Sequence, residues 1–248
     1  MNARKRPAQV AVLVAAHGER TPGAENANAR RIAQALADRD LVAEIGVGFI
    51  SGGPSIAEAL GALTSARIIV YPLFASSGYF SRDRLVQLLD EGNRQGRELT
   101  LLTPLGLDQG MPDFVIAKAS ETCRDRGFAP ETSTIILLAH GSRRNSASRE
   151  AAEWVARGIE GRSRFGDARI ALLEEHPFLQ EAADGVVGPV VVVGLFSGEG
   201  LHGARDAPRL IAELARSEVA YAGVVGSMAG IEDLVLRAVE CALAVNPA

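Results

Sequence analysis

Apolar positions along the chain fall into short unbroken runs separated by longer stretches with helical spacing. Val10–Ala15, Ile68–Pro72, Ile135–Ala139 and Val190–Gly194 are continuous apolar runs rich in Val and Ile. Such runs mark strands buried on both faces, as in a parallel sheet flanked by helices. Segments between them, for example Ala27–Ala37 and Arg149–Gly158, combine helical spacing with good helix formers. Strand and helix alternate four times in each half of the chain. The pattern predicts an α/β protein with two tandem doubly wound domains, each a four-stranded parallel sheet flanked by helices.

The two halves are copies. "VAVLVAAHGERTPGAENANARRIAQAL" recurs as "TIILLAHGSRRNSASREAAEWVARGI", which sets His17 and His140 123 positions apart. "GFISGGPSIAEAL" recurs as "ALLEEHPFLQEAA", with Pro54 and Pro177 at the same offset. "ARIIVYPLFASSGYFSRDRL" recurs as "PVVVVGLFSGEGLHGARDAPRL", with Phe74 and Phe196 122 apart. A looser fourth match joins "LTLLTPLGLDQGMPDFVIAKA" to "AYAGVVGSMAGIEDLVLRAV". The pattern breaks at Gly127–Ser133, so the expected domains are 1–128 and 129–248.

Ligands of open parallel sheets bind beyond the carboxyl ends of the strands. His17 and His140 follow the first strand of their halves, Ser51 and Glu174 the second, Gly78 and His202 the third. Two such halves face to face would enclose a cleft. All four histidines, His17, His140, His176 and His202, fall at expected strand ends. Any one of them reads most simply as a hydrogen-bonded rim residue; their joint placement points to a metal, for which imidazole is a common ligand and carboxylate a common complement. The second half places His140, Glu174 or Glu175, and His202 on neighbouring strand ends, a set that leaves coordination positions open. The first half keeps His17 but has Ser51, Gly52 and Gly53 where the carboxylates should be. Aligned on Gly78, Phe80 stands opposite His202; aligned on Asp83, Tyr79 does. Neither is a ligand, so the first half lacks a full site.

Composition narrows the setting. The 248 residues are 47% hydrophobic and 23% charged, ample for a packed core and unlike a disordered chain. A net charge of −4 offers no global attraction to nucleic acid or anionic lipid. The run Val10–Ala16 is too short to span a bilayer and lacks a small-residue cleavage pattern. Cys123 and Cys241 form neither a CxxC pair nor a disulfide framework. The expectation is a cytoplasmic protein with no nucleic-acid or membrane partner, a monomer or weak homo-oligomer.

Three segments carry a family resemblance: Ala139–Ser142 ("AHGS"), Leu172–Glu174 with Pro177, and Leu195–Pro208 ("LFSGEGLHGARDAP"). They resemble the class II tetrapyrrole chelatases, the sirohydrochlorin cobalto- and ferrochelatases of the CbiX/SirB type. Gly200, His202, Asp206 and Pro208 match that family's Gly-x-His-x-x-x-Asp-x-Pro signature. Two copies in one chain look like the family's long form, whose short form pairs as a homodimer. The resemblance implies ATP-independent insertion of Co²⁺ or Fe²⁺ into a sirohydrochlorin-like tetrapyrrole, in cobalamin or siroheme biosynthesis. The ion is a substrate, and no organic cofactor is implied. Metal-binding and catalytic roles carry over to His140, His202 and Glu174, with Glu175 as the alternative carboxylate and Glu199 as a further neighbour. His17 would remain as a polar or basic group for the macrocycle.

A polycarboxylate macrocycle calls for cations. Arg143 is the leading candidate; Arg20, Arg144 and Arg205 also follow the histidine motifs, and arginine suits carboxylates through its two-pronged donors. Ser142 reads as a cap of the next helix, and Asp206 as an N-cap with Pro208 in the first turn. His176, beside Pro177, reads as a loop residue. Neither GxGxxG, GxxxxGK[ST] nor a G-x-S-x-G elbow occurs, and no arginine precedes either His-Gly as in phosphohistidine phosphatases. Two rival functions remain: a metal or tetrapyrrole carrier without turnover, and a metal-dependent hydrolase, which the lack of a second carboxylate cluster disfavours.

Overall fold

The computed structural model describes residues 8–18, 26–198 and 202–245. Among the described residues eight strands alternate with eight α-helices. The first sheet comprises β1 (Ala8–Ala16), β2 (Val42–Phe49), β3 (Arg67–Leu73) and β4 (Glu98–Leu101), interleaved with α1 (Ala27–Asp38), α2 (Ile56–Ala62) and α3 (Leu85–Gly92). Helix α4 (Met111–Arg126) follows β4. The second sheet comprises β5 (Thr134–Ala139), β6 (Asp167–Leu172), β7 (Val190–Gly194) and β8 (Val219–Val224), interleaved with α5 (Ala147–Glu160), α6 (Leu179–Ala183) and α7 (Ala207–Glu213). Helix α8 (Ile231–Val245) follows β8.

Both sheets are parallel, in the orders β2-β1-β3-β4 and β6-β5-β7-β8. The apolar runs earn central places. Residues Val10–Ala15 of β1 and Ile135–Leu138 of β5 are fully buried. Each such aliphatic side chain contributes about 1.5–3 kcal/mol over its exposed state. In the first sheet one face of β1, through Ala11, Leu13 and Ala15, packs with Ile56 and Leu60 of α2 and Leu85 and Leu89 of α3. In the second, Ile136 and Leu138 pack with Leu179 of α6 and Ala207 of α7.

The buried stripe of α1, Ala29, Ile32, Ala33 and Leu36, returns 123 positions later in α5 as Ala152, Val155, Ala156 and Ile159. The second helix repeats too. Glu58 accepts from the Ser55 backbone N–H at 2.7 Å, and Glu181 from that of Phe178 at 2.8 Å, each closing the start of its helix.

The compact units do not follow the sequence halves. One contains 1–74, 79–105 and 229–248; the other contains 75–78 and 106–228. Helix α4, from the first half, thus lies in the unit of the second sheet, against α5, β7 and β8. Helix α8, from the second half, lies in the unit of the first sheet, against α1 and β3. Arg31 of α1 meets Glu232 of α8 at 2.6 Å. The halves thus exchange their last helices: α4 buries Met111, Val115, Ala119 and Cys123, and α8 buries Ile231, Leu234, Val235 and Val239. No helix among the described residues is long and apolar enough to cross a membrane.

Candidate functional site

In each sheet the chain leaves the central strand through His-Gly. Gly18 (φ 78°) and Gly141 (φ 70°) are left-handed. A Cβ on Gly141 would lie 2.9 Å from Glu175 Cγ and from Leu172 Cβ, and one on Gly18 would overlap the Ser51 carbonyl. Only glycine suits these turns. The turn holds each imidazole against its own backbone: Nδ1 lies 3.0 Å from the Gly18 carbonyl in His17 and 2.9 Å from the Gly141 carbonyl in His140. A carbonyl oxygen only accepts, so Nδ1 carries the proton of the neutral ring and Nε2 keeps the lone pair. The neighbouring strand end is fastened to the same turn. Ser51 N–H donates to the His17 carbonyl at 2.8 Å, and Glu174 N–H to the His140 carbonyl at 3.0 Å. Ser51 and Glu174 are therefore structural equivalents.

In the second unit Glu174 Oε1 lies 3.7 Å from His140 Nε2, with both side chains about half exposed. Two ligand bonds of ~2.1 Å at a tetrahedral angle separate their donor atoms by roughly 3.4 Å. One ion can bridge this pair after a small adjustment. Glu175 points elsewhere. Its carboxylate accepts from Arg149 at 2.8 Å and from Ser142 N–H at 3.0 Å. Those bonds, Arg149's foremost, hold its carboxyl below the usual glutamate range. Arg149 also donates to the His176 carbonyl. Gly141 N–H donates to Ser148 Oγ at 3.0 Å. Ser148 and Arg149, in the first turn of α5, thus brace the His140 and Glu174 turns. Sequence reasoning passed over both, since the contact partners of Arg149 lie 26 and 27 positions away.

His202 opens a π-helical turn, His202–Asp206, that follows β7. β6 and β7 flank β5 on opposite sides, so the backbones of Glu174 and His202 follow the two neighbours of the strand that ends at His140. The His202 side chain, and Glu199 and Gly200 entirely, lie outside the described residues. Among the described residues no three His, Cys, Asp or Glu side chains converge as a metal site; His140 and Glu174 form a pair.

An open pocket of about 560 Å³ adjoins the pair, lined by Ser142, Arg143, Arg144, Leu173, Glu174 and Phe178. Arg143 and Arg144 are exposed there, on a turn beside a carboxylate ligand candidate. Ser142 does not cap α5. It closes the turn itself, its Oγ accepting from Arg144 N–H at 3.2 Å, while α5 begins only at Ala147. Asp206 has helical backbone (φ −71°, ψ −45°), because the π-helical turn runs directly into α7 and leaves no extended capping position. Pro208 is in the first turn as expected. His176 pairs with Glu181 at 2.8 Å and contacts the Phe178 ring, a loop-fastening role. Arg205 is exposed, and Arg20 lies outside the described residues.

The first unit keeps the backbone and loses the chemistry. A matching π-helical turn, Phe80–Arg84, follows β3, and its first residue makes Phe80 rather than Tyr79 the counterpart of His202. The Phe80 ring meets His17 edge-on, centroids 4.6 Å apart. Gly52 and Asn26 stand 123 positions before Glu175 and Arg149, so the bracing ion pair has no equivalent either.

Comparison with known proteins agrees with this duplicated layout. A curated relative from Halobacterium salinarum, named a probable sirohydrochlorin cobaltochelatase, is 24% identical over 220 residues, 80% of this chain and 75% of that one. A multidomain protein of Deinococcus radiodurans, described as structurally similar to chelatases, superposes with a TM-score of 0.80 at 24% identity. The match covers 93% of this chain and only 55% of that protein. CbiX, described as the terminal enzyme of siroheme biosynthesis in denitrifying bacteria, matches with a TM-score of 0.74 at 23% identity, covering 94% and 99% of the two chains. The CbiX family model fits the chain twice, over residues 11–122 and 134–242, one copy for each His-Gly turn. This chain, with its two repeats, belongs to the CbiX family.

Proposed function

We propose that the chain is a metal chelatase that inserts Co²⁺ or Fe²⁺ into sirohydrochlorin or a related tetrapyrrole. The observation that carries this reading is the pair of His140 Nε2 and Glu174 Oε1, 3.7 Å apart at adjacent strand ends. His202 begins the turn after the strand on the other side. Family membership and the relative named for sirohydrochlorin supply the substrate class.

Insertion exchanges two pyrrole N–H protons for one divalent ion. In this reading Glu174 offsets the ion's charge and His140 presents Nε2 as ligand, with Nδ1 committed to the Gly141 carbonyl so that the ring cannot turn away. His202 completes the set. As the ion passes to the ring, the freed Nε2 and the freed carboxylate each accept one of the two departing protons and later release it to solvent. Arg143 and Arg144 line the adjoining pocket and suit the substrate's carboxylates. A His/Glu donor set accepts several late first-row ions, so cellular supply decides which is used. The relatives divide in the same way, one named for cobalt and one for siroheme.

The test is to follow absorbance while the protein is incubated with sirohydrochlorin and other tetrapyrroles, each with Co²⁺, Fe²⁺ and Ni²⁺. Turnover by the native chain and its loss in His202→Ala are expected. Undiminished turnover in His202→Ala overturns the ligand assignment. Stoichiometric binding without turnover replaces the enzyme with a carrier.

A further inference from the structure

In the first unit the position that carries a histidine in the second unit carries an aromatic ring, and that ring is not buried. Tyr79 and Phe80 are 57% and 45% exposed, among the few large exposed hydrophobic side chains of the described residues. Their rings meet edge-to-face with centroids 5.4 Å apart, and Phe80 meets His17 at 4.6 Å with an interplanar angle of 80°. Three rings thus form a continuous aromatic ridge. Contacts of this geometry hold rings in place, while the exposures leave much of Tyr79 and Phe80 open to solvent. The ridge stands beyond the carboxyl ends of β1 and β3, where the strand order reverses, the ligand position of a doubly wound sheet. The π-helical turn that bears Phe80 also bears Arg82, exposed, and Arg84.

We infer that the first unit keeps a binding site for the macrocycle itself, with Phe80 stacking on the conjugated ring, Tyr79, set at 69° to Phe80, meeting it edge-on, and Arg82 serving its carboxylates. The inference rests on the chelatase reading for the identity of the macrocycle. It accounts for an aromatic ring at Phe80 where the second unit has His202, and for a histidine at His17 with Ser51 in the place of Glu174. A flat conjugated polycarboxylate is the occupant that matches both exposed rings and flanking guanidinium groups. Stacking of a conjugated ring on an aromatic side chain needs no metal, so the site binds the metal-free macrocycle.

The experiment titrates the full-length chain with metal-free uroporphyrin, read by fluorescence, and measures insertion kinetics with sirohydrochlorin and Co²⁺. Phe80→Ala is expected to weaken uroporphyrin binding about tenfold (~1.4 kcal/mol). It should raise KM for sirohydrochlorin by a similar factor, with kcat within about twofold. Phe80→Trp should retain binding, and Phe80→Leu, which keeps bulk without a π face, should not. Tyr79→Ala, at a still more exposed position, should show a smaller loss in the same direction. Equal affinity in native chain and Phe80→Ala, or full recovery by Phe80→Leu, overturns the stacking site. If the native chain inserts metal while Phe80→Ala binds normally, the stacking site alone fails. If the native chain binds uroporphyrin but inserts no metal, the chelatase reading fails and the titrations still judge the ridge. A native chain that binds no tetrapyrrole overturns both.

Discussion

The two strand-end rims share a backbone almost hydrogen bond for hydrogen bond, yet among the described residues only one carries a donor pair. His17 and His140 are held by the same Nδ1 contact to the next carbonyl, and Ser51 and Glu174 by the same N–H contact to the histidine carbonyl. Around these shared contacts the side chains differ: Ser51 stands at the position equivalent to Glu174, and Phe80 at that equivalent to His202. The bracing pair Arg149–Glu175 corresponds to Asn26 and Gly52. The backbone frame survives the change in the side chains it displays, because its hydrogen bonds are made by main-chain groups and by the histidine that both units keep. A duplicated frame can therefore lose one set of donors without losing its fold.

The sharpest break of this comparison is at the donors. His140→Ala and His202→Ala are each expected to lower metal insertion more than about 100-fold, an effect that exceeds the usual loss on removing an outer partner. Steady-state rates of insertion measure it. Next is an attempt to rebuild the missing set: Ser51→Glu combined with Phe80→His should raise Co²⁺ stoichiometry from one to two per chain in equilibrium dialysis. A ratio that stays at one means the first frame differs by more than its side chains.

A smaller effect is expected at the brace. Arg149→Gln frees Glu175 and should reduce insertion about tenfold, chiefly by weakening Co²⁺ affinity. The pH dependence follows from the lowered pKa of Glu175. A carboxyl depressed in the folded state contributes stability above its unfolded value, about 4.3, and loses it as pH falls through the folded value. As pH falls below about 4.3, the melting temperature of the native chain should therefore fall more steeply than that of Glu175→Gln. The smallest change belongs to His176→Ala. Its ring is tied to Glu181, and insertion should stay within about twofold of the native rate.

Much of the scaffold was legible in the chain itself. Val10–Ala15 and Ile135–Ala139 could only be buried central strands, and the 123-residue offset carried one half's reading into the other. The helix exchange was not legible. The last helices of the two halves follow equivalent strands, and local pattern does not record which sheet each one covers. At the site, strand ends pointed to His140 and to a glutamate, but Glu174 and Glu175 alternate across the rim. Only the contact of Glu175 with Arg149, 26 positions back, separates the carboxylate beside His140 from its neighbour. Ser142 and Asp206 looked like helix caps because residue type is a local signal. At Ser142 the turn closes on its own Arg144 N–H and on Glu175, and at Asp206 the π-helical turn runs directly into α7.

The helix exchange also orders events during synthesis. Arg31 waits for Glu232, 201 positions later, which at ~5–20 residues per second is roughly 10–40 s of translation. By then every segment of the second sheet's unit, through Met228, has been made. The half that leaves the ribosome first is finished last. Until α8 arrives, the apolar surface of β3 and α1 that it covers stays open, so early arrest of translation leaves a sticky first sheet rather than a folded half.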